Sequence, residues 1–86
     1  MATLRKKQML VGQLANAMWS QFDHANEVDP NDNSDETLTQ YVKERINIAN
    51  KIAILKEVAE VDDTELVGIM KAICKQWIEK QNEVGA

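Results

Sequence analysis

The chain has 86 residues, 44% of them hydrophobic and 28% charged, with a formal net charge of −4. That is enough for one small domain with a marginal core, and too balanced for a disordered segment. The acidic balance argues against non-specific nucleic-acid binding as the main role. No apolar run approaches the roughly 20 residues that cross a bilayer, so no membrane association is expected.

The first predicted helix covers about residues 3–26. Leu4, Leu10, Val11, Leu14, Ala15, Ala17, Met18, Trp19, Phe22 and Ala25 recur at helical spacing. Gly12 is its weak position, and a glycine there would permit close approach of another backbone. Arg5, Lys6 and Lys7 form the one dense basic cluster. They are read as a solvated first turn, with a nucleic-acid contact as the alternative. Polar interruptions at Gln8, Gly12, Gln13 and Asn16 break any signal-peptide core. His24 falls near the helix C-terminus, where a positive charge is favourable.

Residues 27–34 read as a loop. It holds Pro30, which pushes Asp29 out of the helical region, and Asn and Asp residues that favour turns. Asp29, Asn31, Asn33 and Asp35 alternate as in a calcium loop. The pattern fails at the sixth position, Ser34, and at the twelfth, Gln40. Ser34 is instead expected to cap the second helix, with Asp35 and Glu36 in its first turn.

The second helix, about 35–60, carries two apolar seams. One runs through Tyr41, Ile48, Ile52, Leu55 and Ala59, the other through Val42, Ile46, Ala49 and Ala53. Arg45 and Lys56 lie between them, with stems covering the groove or heads meeting an acidic partner. Ile54 and Val58 point to the opposite side. A three-helix bundle can cover both seams with the first and third helices. Unexplained surface then reduces to Ile54, Val58 and Val61, with Arg45 and Lys56.

A restart follows at residues 61–66. Asp62 can cap, Glu65 completes a capping box, and Val61 can staple onto Leu66. The third helix, about 63–82, presents Leu66, Val67, Ile69, Met70, Ile73, Cys74, Trp77 and Ile78 on one face. Cys74 is expected to be a buried thiol, and residues 83–86 to fray. With one cysteine and one histidine, no disulfide or zinc site can form within the chain. The single cysteine fits a cytoplasmic location.

The expected fold is therefore all-α. It is a three-helix bundle, or a helical hairpin with an additional N-terminal helix, completed by oligomerisation. The expected function is a regulator, inhibitor or assembly subunit that binds another protein or itself as a homodimer. A motif-free acidic helical chain also fits a phage- or mobile-element product, by association alone. The candidate interface residues are Ile54, Val58, Val61, Arg45, Lys56, Trp19 and Trp77. The alternative is a dimeric nucleic-acid accessory protein using Arg5, Lys6 and Lys7. No enzyme motif and no cofactor motif is present.

Overall fold

The computed structural model describes residues 4–27 and 31–85. Val28, Asp29 and Pro30 of the expected loop, Thr3 at the expected start of the first helix, and Ala86 lie outside the described residues. The described residues form three helices and no strand: α1 (Leu4–Ala25), α2 (Asp35–Val58) and α3 (Asp63–Gly85). Two boundaries differ from expectation. The second helix ends at Val58 rather than near residue 60, and the third continues to Gly85 instead of fraying from residue 83.

Local chemistry sets the α2 boundaries. Ser34 has extended backbone, and its hydroxyl accepts from the Thr37 backbone N–H at 3.3 Å. It thereby satisfies one of the orphan donors of the first turn. At the other end, Val61 N–H bonds to the Lys56 carbonyl and Glu60 N–H to the Glu57 carbonyl. Glu60 itself has φ 57°. This is a Schellman termination with a glutamate in the left-handed position that usually takes glycine. Asp62 then caps α3, its carboxylate accepting from Glu65 N–H at 2.8 Å. The second and third helices are thus two helices rather than one bent rod.

The three helices run up, down and up. His24, near the end of α1, stacks on Tyr41, near the start of α2, so this pair is antiparallel. Lys7 meets Glu65, and Asp23 meets Trp77, so α1 and α3 are parallel. α1 packs on both other helices, while α2 and α3 make at most a marginal contact with each other. The expected hairpin of the second and third helices therefore forms by connection only. The core is Leu10, Leu14, Ala17 and Met18 of α1 against Ile52, Leu55, Ala59 and Val61, edged by Val11, Ile48, Leu66, Ile69, Met70 and Ile73.

The result is open. The Cα radius of gyration is 15.0 Å, against about 12 Å for a compact domain of this length. The smallest dimension is 19 Å, close to two helix diameters of roughly 10 Å.

Candidate protein-interaction surface

The two α2 seams meet different fates. Ile52, Leu55 and Ala59 are buried, and Tyr41 and Ile48 half-buried, all against α1. Val42, Ile46, Ala49 and Ala53 are exposed, as is Leu38, which extends their line by one turn. The expectation that α1 and α3 cover both seams is thus wrong. α3 packs on α1, so among the described residues no helix lies along the second seam. Leu38, Val42 and Ile46 are 45%, 51% and 53% exposed. At about 100° per residue these five positions share a strip roughly 80° wide.

The other predicted interface residues divide. Ile54 and Val58 are exposed on the far side of α2, as expected. Val61 is 5% exposed and belongs to the core. The Schellman turn carries it into the core, and this removes it from the candidate surface. Arg45 is exposed beside the open seam. Lys56 is engaged, with its ammonium 2.5 Å from the Asp63 carboxylate across the α2–α3 junction. That pair holds the Asp63 carboxyl below its ordinary value, first by hydrogen bonding and then by charge.

Neither tryptophan is fully buried. Trp77 donates its indole N–H to Asp23 Oδ1 at 2.7 Å and leans on Phe22, with ring centroids 6.2 Å apart. Its polar end is therefore used within the chain. Trp19 is half-buried on α1.

The basic cluster is also partly engaged. Lys7 pairs with Glu65 at 3.3 Å, while Arg5 and Lys6 are exposed. Cys74 is half-buried rather than buried, beside Lys71, Lys75 and Ile78. The close approach that Gly12 would permit is not used among the described residues, because a Cβ there would meet nothing within 4 Å.

His24 is buried more deeply than its position near a helix end suggests, at 3% exposure. Its ring stacks on Tyr41 with centroids 4.0 Å apart, and Nε2 lies 3.7 Å from the Glu44 carboxylate. Neither ring nitrogen has a hydrogen-bond partner among the described residues. Glu27, Glu36 and Glu44 line an open hollow beside Tyr41. Among the described residues no group of His, Cys, Asp or Glu is placed to hold a metal ion. No described helix is long and apolar enough to cross a membrane.

The most distinctive surface is therefore an apolar helix face that lacks a covering element among the described residues. No protein family, no curated protein and no solved structure matches the chain.

Proposed function

We propose that this chain is a protein–protein interaction module, a regulator or an assembly subunit, that docks through the exposed α2 seam. The supporting observation is the row Leu38, Val42, Ile46, Ala49 and Ala53, continuous over four turns and exposed along its length. Single exposed apolar residues are ordinary, whereas an aligned row of them on one rigid helix presents a contact surface. Burying Val42 or Ile46 in a partner would contribute roughly 1.5–3 kcal/mol each before association costs.

The test uses two variants of the immobilised chain. Val42→Asp with Ile46→Asp should abolish capture of a specific partner from the native host and keep the circular-dichroism helicity. Ile54→Asp with Val58→Asp should leave capture intact. A partner retained by the first variant and lost by the second would move the docking face to the other side of α2. Retention by both would remove α2 from the reading altogether.

A further inference from the structure

We infer that the occupant of the α2 seam is a second copy of the same chain, with the two α2 helices packed antiparallel about a two-fold axis near residues 47 and 48. This rests on the interaction-module reading above and names its partner. Two independent features carry it.

The first is area. A compact monomer of this mass, 9.7 kDa, exposes roughly 5,100 Å², whereas this chain exposes 6472 Å². The excess, on the order of 1,300 Å², is larger than the ~800 Å² that each partner contributes to a standard specific interface. α2 and α3 make at most a marginal contact with each other, and the second α2 seam is part of the exposed surface.

The second feature is the shape of the seam. Val42, Ile46, Ala49 and Ala53 are spaced four, three and four residues apart, the a/d rhythm of a coiled-coil seam. Its N-terminal half is bulky and its C-terminal half small. A parallel pair would set Ile46 against Ile46 and Ala53 against Ala53, crowding one end and leaving the other hollow. An antiparallel pair sets Ile46 against Ala49 of the second copy and Val42 against Ala53, so every layer has similar volume. The face is complementary to itself under a two-fold rotation, which is the geometry of an isologous dimer. The helix dipoles then also oppose each other.

Sedimentation equilibrium of the full chain should give about twice the 9.7 kDa chain mass. Val42→Asp with Ile46→Asp should give the single mass, and Ile54→Asp with Val58→Asp should leave the dimer. Should the first variant unfold, the milder Ile46→Ala should weaken dimerisation about tenfold or more, since it removes apolar burial twice per dimer. In a Cys74→Ala background, Ile46→Cys with Ala49→Cys should oxidise to a covalent dimer. Leu38→Cys should not, because antiparallel pairing holds the two Leu38 positions about 28 Å apart along the axis at 1.5 Å per residue.

A wild-type chain that stays monomeric, or a dimer indifferent to both Val42→Asp/Ile46→Asp and Ile46→Ala, overturns the inference. Rapid cross-linking through Leu38→Cys overturns the antiparallel arrangement. A monomer that still binds a different protein through the intact seam removes the second copy and leaves the interaction reading standing. A monomer with no seam-dependent partner removes both.

Discussion

Glu60 is the one non-glycine residue with a positive φ among the described residues. With φ 57° it occupies the left-handed region, where a Cβ costs roughly 1–2 kcal/mol and glycine costs little. The turn tolerates it because the two Schellman bonds and the inward placement of Val61 over-determine the geometry. Glu60→Gly should therefore raise stability by about 1 kcal/mol in denaturant titration. A loss would show that the glutamate side chain contributes something its exposed position does not reveal. Trp77 and Asp23 form a second residue-scale lock. A half-buried indole bonded to a carboxylate is expected to be worth roughly 1.5–3 kcal/mol. A double-mutant cycle with Trp77→Phe and Asp23→Ala should return a coupling energy in that range. Coupling near zero would mean that the contact is incidental to fold stability. His24 is the opposite case, a buried ring whose nitrogens have no hydrogen-bond partner among the described residues. Its burial was legible, because it continues the line Leu10, Leu14, Ala17 by seven residues. Reading it as a helix-end charge overlooked that heptad line.

The starts of α2 and α3 were the most legible features because capping depends on neighbouring residues alone. Ser34 and Asp62 cap as their local chemistry dictates. The choice of partner for each face of α2 depends instead on how three helices cross, and residue spacing does not encode that. Both seams have helical rhythm, yet one is buried and one is not, because α1 takes the place between α2 and α3. Val61 was assigned to the surface for a related reason. A wheel drawn through a continuous helix places it outward, whereas the left-handed step at Glu60 turns it in. Two expectations belong to this scale. Gly12 sits in α1 with open space where a side chain would go, so Gly12→Ala should stabilise by up to about 1 kcal/mol through helix propensity. No gain in melting temperature would mean that the site needs the missing side chain. The Lys56–Asp63 pair clips α2 to α3 at the solvent surface. The Asp63 carboxyl is held below its ordinary value of 3.8. Its contribution is therefore fully present above that value and disappears as pH falls through the lowered one. The difference in melting temperature between wild type and Asp63→Asn should be present at pH 6 and shrink as the solution is acidified below pH 3.8. A difference that persisted in acid would trace to something other than this charge pair.

For the whole molecule, the governing fact is that three amphipathic helices share a small core around one of them. Each chain carries a net charge of −4, so bringing two together is opposed by long-range repulsion. Antiparallel pairing also sets Asp35 opposite Glu60 of the second copy at the rim. Salt screens such interactions over about 10 Å at 0.1 M. Dimerisation is therefore expected to tighten as salt is raised from 20 to 300 mM, measured by sedimentation. Weakening over that range would point to attractive charge pairing across the interface and a different register. The position of α1 between the other helices also bears on how the chain reaches this state. α2 and α3 are sequence neighbours that offer each other almost no contact, so their hairpin cannot serve as a local folding nucleus. The Trp77–Asp23 contact that fixes α3 on α1 joins residues 54 positions apart, and the Lys7–Glu65 pair is more distant still. The free-energy barrier must therefore include closure of that long loop onto α1, and consolidation should be slower than in an ordinary helical bundle of this size.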